Sequence, residues 1–339
     1  MAAFLYLAFR DIEDFDSLWS EMAAVSPWWI LAIILTILLT GVIRAWRWVV
    51  LMRPVAPQVT LLDATLSLCI GYSVNLVSPI PRAGEAARAL SLKWTRQASI
   101  SAVFGTIVVE RVIDVLWLLI LIAASAALLP GQIEEAFPGI RLGAMVALAL
   151  SVAAVTGLVI VSAYRERGVE FVYRLLAKVS ERLARPIADL LSQFIHGLQA
   201  LRNPSAYVEI LLSSLLLNLG YALITWFSFA AFGYHEDPWH LGGRAAIVVM
   251  AISSIGVVVP LPGGIGSYHL FYGRSLHLLF AIPLASTMAC ATVVHAVSNL
   301  TYFAVGAPAL LLQRRRHGDH GSLAEEFEQV SEDTQTADS

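Results

Sequence analysis

Long apolar runs separated by short polar ones fill this chain, and their length predicts membrane helices rather than a soluble core. A bilayer core takes about 20 apolar residues per helix. Full spans are predicted at 27–52, 100–128, 141–163, 205–233 and 284–312. Two further stretches, 61–93 and 243–281, are equally apolar but broken midway. The first break is Pro79-Ile80-Pro81-Arg82-Ala83-Gly84-Glu85 and the second is Pro260-Leu261-Pro262-Gly263-Gly264-Ile265-Gly266. Each stretch reads as two half-length helices, a re-entrant hairpin or a broken helix pair. A helix interrupted inside a bilayer leaves backbone N–H and C=O groups unpaired, which is tolerated only where they face protein or a polar cavity. Breaks at corresponding positions of two halves point to a transporter's binding site.

The two breaks predict a repeat. Aligning Pro79 with Pro260 gives an offset of 181, and Val108 to Asp114 aligns with Val293 to Asn299 at an offset of 185. Valine matches carry little weight in membrane helices, but Glu110 then falls on His295 and Asp114 on Asn299. Each half reads as span, broken hairpin, span, over 27–128 and 205–312, with the single span 141–163 between them. One connecting span turns the second half over, giving an inverted-topology repeat. The expected fold is therefore all-α: a polytopic membrane helix bundle of two inverted repeats, each with a re-entrant hairpin whose tip lies near the midplane.

Composition agrees. The chain is 58% hydrophobic and 14% charged, where a soluble domain carries about a quarter charged residues. Arg44, Arg47 and Arg53 close the first span, Lys93 and Arg96 follow the first broken stretch, Arg165 to Arg185 follow 141–163, and Arg314 to Arg316 follow the last span. Acidic residues occupy 11–21, 129–140 and 234–240. The positive-inside rule puts the basic loops in the cytoplasm, consistently only if both broken stretches return to the side they left. Segment 164–202 has apolar residues at helical spacing and a basic opposite face, and reads either as an amphipathic pair on the inner leaflet or as a soluble helical hairpin packed on the bundle. The acidic tail 313–339 reads as disordered and cytoplasmic. Met1 to Phe9 is apolar but too short to span, which suggests the outer end of a span that begins upstream. Cys69 and Cys290 show neither a disulfide framework nor zinc spacing, and no metal or cofactor is expected.

The candidate chemistry gathers near the breaks. Arg82, Glu85 and Arg88 lie in and after the first, and Glu85 and Arg88 are spaced to pair along one helix. Glu110, Arg111 and Asp114 lie deep within 100–128. Charges at that depth are costly and must neutralise one another, either as a buried ion network pinning hairpin to span or as a head-group site. In the second break Gly263, Gly264 and Gly266, followed by His269, suit either a tight turn or backbone donors to an anion at a helix start. His269, His277 and His295 have no common metal-site spacing.

At these motifs the chain resembles the lysylphosphatidylglycerol synthase transmembrane-region family, also called flippase-like membrane proteins. The family's Pro-x-Arg-x-Gly-Glu-x-x-Arg stretch is met by Pro81-Arg82-Ala83-Gly84-Glu85-Ala86-Ala87-Arg88, with proline directly before arginine; its acidic-helix motif by Glu110-Arg111-Val112-Ile113-Asp114; and its proline–glycine loop by Pro260 to Gly266. Many members carry glutamate where this chain has His269, a departure that bears on any carboxylate-dependent ion coupling. The resemblance covers about 1–312. It implies a stand-alone membrane unit of the bacterial inner membrane, without an aminoacyltransferase domain, its C-terminus cytoplasmic. The expected activity is flipping or scrambling of an anionic phospholipid or a polyprenyl- or hopanoid-type lipid, not an enzymatic reaction. Arg82, Arg88, Arg111, Gly263, Gly264, Gly266 and His269 would contact lipid; Glu85, Glu110 and Asp114 would hold the arginines; Pro79, Pro81, Pro260 and Pro262 would make the breaks. The alternatives are a membrane-embedded head-group transferase, or the non-catalytic partner of a separately encoded one. Nothing indicates nucleic acid.

Overall fold

The computed structural model describes residues 2–12, 15–80, 82–129, 204–259 and 261–317, with scattered positions between 135 and 185. Pro81, Pro260, nearly all of the predicted span 141–163 and segment 164–202, and the tail beyond residue 317 lie outside these residues. Ten helices are described: α1 (Ala2–Phe9), α2 (Phe15–Ala23), α3 (Pro27–Met52), α4 (Leu61–Val77), α5 (Ala83–Arg96), α6 (Ile100–Leu128), α7 (Pro204–Ala231), α8 (Gly243–Val258), α9 (Ser267–Phe280) and α10 (Leu284–His317). A short 3₁₀ turn, Pro262–Gly264, joins α8 to α9. No strand occurs among the described residues.

Three helices are long and apolar enough to cross a membrane: α3, α7 over Ala206–Ala231 and α10 over Leu284–Gln313. Helix α6 has 29 residues but carries Glu110, Arg111 and Asp114. The sequence places the ends of these helices well. Pro27 opens α3 at the first turn, where its missing N–H costs nothing, and Thr60 and Asp63 form a reciprocal capping box at the start of α4. Helix α10 runs five residues beyond the predicted end at 312, because Gln313 is buried (4% exposed) and bonded to both Ser67 and Ser91.

Both broken stretches are helical hairpins. In the first, α4 leads in and α5 leads back, and their open ends are clamped by Arg96 Nε on Asp63 Oδ2 at 2.8 Å. The arms touch backbone to backbone near the turn. A Cβ placed on Gly84 would lie 1.9 Å from the carbonyl oxygen of Gly71, and the Gly84 N–H donates to Asn75 Oδ1 at 2.7 Å. The second hairpin closes similarly: a Cβ on Gly256 would lie 2.7 Å from the Ser267 carbonyl oxygen, and the Ser267 hydroxyl donates to the Gly256 carbonyl at 2.7 Å. Gly71 and Gly256 are separated by 256 − 71 = 185 residues, one of the two offsets, 181 and 185, of the predicted repeat.

Each hairpin packs with its flanking helices around its own apolar core. Trp48, Leu68, Leu92 and Ile107 centre the first; Phe229, Tyr272, Leu276 and Val294 centre the second. The halves join where small residues let helices cross closely. Gly220 of α7 meets Thr40 of α3, and Gly306 of α10 meets Ser73 of α4. The hairpin ends also meet, since Gly263 in the 3₁₀ turn lies beside Leu76 of α4.

Candidate functional site

The charged site assembles on three helices of the first half. On α6, Glu110 and Asp114 are four residues apart and so share a face. Arg44 and Arg47 of α3 reach that face together. Arg44 Nη1 lies 3.3 Å from Glu110 Oε1 and its Nη2 lies 3.0 Å from Asp114 Oδ2. Arg47 Nη2 lies 2.5 Å from Asp114 Oδ1 and 3.6 Å from Glu110 Oε1, while its Nη1 donates to Ser214 Oγ of α7 at 3.1 Å. From α5, Arg88 donates to Glu110 Oε2 at 2.9 Å and places its guanidinium carbon 4.0 Å from the centroid of the Trp48 ring, a cation–π contact. The Trp48 indole N–H donates to Thr106 Oγ1. Glu110 is fully buried, Arg47 and Arg88 nearly so. Among the described residues, Nε of Arg44, Arg47 and Arg88 find no hydrogen-bond acceptor.

Arg111 forms the open edge of this cluster. Its Nε lies 2.9 Å from Glu85 Oε1 on α5 and its Nη1 lies 3.4 Å from Asp114 Oδ2. The Arg111 side chain is 34% exposed, against 4% or less for Arg47, Arg88 and Glu110.

These contacts revise three expectations. Glu85 and Arg88 do not pair with each other: Glu85 turns to Arg111 and Arg88 to Glu110, so two ion pairs bind α5 to α6. Arg44 and Arg47 are not loop charges at the end of a span. They are buried inside α3 and belong to the ion network; among the three arginines of that group only Arg53 lies past the helix end, paired with Glu209. Sequence reasoning missed both, because the six charges it gathered, Arg82, Glu85, Arg88, Glu110, Arg111 and Asp114, already balance one another and nothing in the α3 sequence distinguishes a terminal arginine from a network arginine. Arg88, a candidate lipid contact, is enclosed between Glu110 and Trp48.

Arg82 stands at the start of α5, exposed, in the left-handed conformation at φ 62°. A side chain there costs about 1–2 kcal/mol relative to glycine. Gly263, Gly264 and Gly266 take positive φ in the second turn, where no such cost arises. Pro79 precedes the first turn and Pro262 opens the 3₁₀ turn.

A neutral cluster occupies the second half. His295 Nε2 lies 2.8 Å from the Gly263 carbonyl oxygen, a contact requiring the ring to donate from Nε2. The Asn299 amide nitrogen lies 3.1 Å from the same Nε2 and 3.3 Å from Nδ1 of that ring. Tyr268 stacks on His295 at 5.1 Å, and His269 meets the same ring edge-on at 4.9 Å. His269 is buried (6% exposed), its Nδ1 without a hydrogen-bond partner among the described residues. His277 stands apart, bonded to the Ile282 carbonyl. Among the described residues no group of three or more potential metal ligands converges. Glu110 binds the α5 arm of the first hairpin, and His295, its partner in the predicted repeat, binds the turn of the second.

The model of the family described as lysylphosphatidylglycerol synthase TM region matches residues 1–306. The chain belongs to that family. It is also 28% identical over 271 residues to the glycosyltransferase AglD of Haloferax volcanii, a match covering 73% of this chain and 43% of that protein. The chain thus spans less than half the length of that curated relative. No solved structure matches the chain. Family and helices together make it a membrane protein of a lipid-related family.

Proposed function

We propose that the protein translocates an anionic, phosphate-bearing lipid across the bacterial inner membrane, its head group entering between the two hairpin turns. The observation that carries this reading is the arginine-rich cluster, fully buried at Glu110 and opening at Arg111. Arginine pairs with phosphate through parallel N–H donors, and charges held inside a membrane protein mark substrate paths more often than scaffolding. Arg82 and Arg111 would receive the phosphate, with Arg44, Arg47 and Arg88 keeping the surroundings positive. Gly263 and Gly266 would offer backbone donors from the facing turn, beside His269, while the Gly264 N–H is taken by the Leu261 carbonyl and would serve only the turn's shape.

The hairpins support a re-entrant arrangement. Helix α4 has 17 residues and α5 has 14, about 26 and 21 Å at the α-helical rise, short of the roughly 30 Å hydrocarbon core. The same holds for α8 with 16 residues and α9 with 14. Short arms with clamped open ends return to the side they left, and the positive-inside rule then places the C-terminus in the cytoplasm. The 185-residue offset between the two hairpin closures supports an inverted repeat.

Reconstitution into liposomes with fluorescent lipids tests this function. Anionic phospholipids or polyprenyl phosphates should exchange between leaflets faster than in protein-free vesicles, and Arg111→Ala should abolish the gain while the protein stays folded. Absence of exchange for every anionic lipid tried would remove the proposal. A second reading, in which the chain acts as the membrane partner of a transferase encoded separately, takes its support from the relative's name; stable co-purification of a second protein would support it.

A further inference from the structure

We infer that His269 and His295 together form a binding site for a single proton, which crosses the membrane with the anionic head group. The inference rests on the preceding reading that the hairpin turns receive such a head group, and it adds the driving ion. The two imidazoles stand on different helices and meet edge-on, ring centroids 4.9 Å apart. His295 holds the second turn through the Gly263 carbonyl, and that turn lies beside Leu76 at the end of the first hairpin arm. His269 is buried, with Nδ1 unpartnered among the described residues. A buried polar nitrogen left idle is costly, and imidazole is the side chain whose ordinary charge change falls near neutral pH. Two charged rings at this separation repel each other, so the pair takes a single proton. Glu110, the counterpart of His295 in the predicted repeat, is instead matched by arginines, so the change of charge belongs to the second half.

The groups around the pair are neutral. Helix α1 presents the Phe9 ring to His269, α9 itself presents Tyr268, and α10 presents Asn299 to His295. Charges on the packed elements are engaged elsewhere. Arg274 of α9 bonds Asp11, Asp63 of α4 is held by Arg96, and Glu209 of α7 is held by Arg53. Arg44 and Arg47 of α3 belong to the ion network. Arg244 lies in the first turn of α8, at the opposite end of that arm from the turn. Asp16 and Glu21 lie on α2, which packs beside Met288 and Ala289 at the start of α10. A proton on the pair therefore leaves a positive charge at the turn, and an arriving phosphate cancels it. By reciprocity the bound head group strengthens the hold on the proton. Protonated, His295 also donates to the Gly263 carbonyl as a charged group, a stronger bond that fixes the turn around the ligand. Proton and singly charged lipid then move together without net charge.

The test uses proteoliposomes of the full chain with a trace of tail-labelled phosphatidylglycerol, a probe whose own charge is constant near neutral pH. Valinomycin with equal potassium on both sides holds the membrane potential at zero, and a difference of about one pH unit is imposed across the vesicle. The wild type should gather the probe about tenfold in the leaflet on the alkaline side, because a proton moving down its gradient with each lipid balances that ratio. His269→Gln and His295→Gln should each lose this accumulation, while His277→Gln, which stands apart, should keep it. Equal leaflets in the wild type under the pH difference overturn the inference and leave translocation standing. Accumulation that survives in both His269→Gln and His295→Gln places the proton elsewhere and also overturns it. Should a glutamine variant not fold, the wild-type distribution still decides. A probe that never changes leaflet, with or without the pH difference, removes the underlying function instead, which separates the two failures.

Discussion

Among the described residues Glu110 carries the heaviest electrostatic duty. Its carboxylate is fully buried and answers Arg44, Arg47 and Arg88 from two other helices. Removing one partner of a buried ion group costs about 3–5 kcal/mol, because the remaining charges are left uncompensated. Glu110→Ala should therefore lower the thermal unfolding midpoint in detergent far more than Arg53→Ala, whose partner Glu209 is solvent-accessible. Arg82 argues in the opposite direction. Its left-handed backbone would suit glycine better, so Arg82→Gly should stabilise the protein by about 1 kcal/mol while slowing lipid exchange. A substitution that raises the unfolding midpoint and leaves exchange untouched would deny Arg82 a role in lipid contact. Strain kept at a site of this kind is a trade of stability for function.

At the scale of elements, the two hairpins depend on backbone contact. A methyl group at Gly84 would collide with the Gly71 carbonyl, which rigid backbone cannot yield cheaply. Gly84→Ala should push α4 and α5 apart and destabilise by several kcal/mol, within the range of about 1–3 or more set by overpacking. Gly41→Ala is the matched control: nothing lies within 4 Å of a Cβ there, and alanine in a helix interior should stabilise by about 0.5–1 kcal/mol. Unfolding of both variants in detergent checks the pair. The sequence made the hairpins legible because proline and glycine punctuate both breaks, and predicted bounds of 61–93 and 243–281 fall within three residues of the helix ends. The glycine contact itself was not legible, since a glycine within an apolar run shows nothing of which neighbour approaches it.

For the whole molecule, the re-entrant arrangement makes a topological prediction. Single cysteines at Gln58 and Gln97, flanking the first hairpin, should label from the same side of sealed vesicles. Cysteines at Trp239 and Ala281, flanking the second, should label from the opposite side. Labelling of Gln58 and Gln97 from different sides would show that α4 and α5 together cross the bilayer. The N-terminal segment gives a pH prediction. Helix α1 packs on α9, and Arg274 of α9 bonds both the Leu7 carbonyl and Asp11. The hydrogen bond from Arg274 holds the Asp11 carboxyl below its ordinary value of 3.8. A lowered pKa means that this tether is fully present above the ordinary carboxylate range and is lost as pH falls through the folded-state value. Protection of α1 against hydrogen exchange, relative to the intrinsic rate at each pH, should therefore be unchanged between neutral and mildly acidic pH and fall only in strong acid, and Asp11→Asn should show the reduced protection already at neutral pH.

The sequence by itself determined the helices and their punctuation. Hydrophobic length and paired proline–glycine breaks are local properties, which is why α3, both hairpins, α6 and α7 lie near their predicted positions. It also showed that Glu110, Arg111 and Asp114 had to be neutralised by ion pairing, because charge deep in an apolar span is expensive wherever it occurs. Only the tertiary structure decided who the partners are. Arg44 and Arg47 precede Glu110 by more than sixty residues, and pairing across that distance depends on which helix faces pack together. Local spacing favoured Glu85 with Arg88. Packing of α5 against α6 instead sent Glu85 to Arg111 and Arg88 to Glu110, joining hairpin to span where a pair within one helix would have joined nothing.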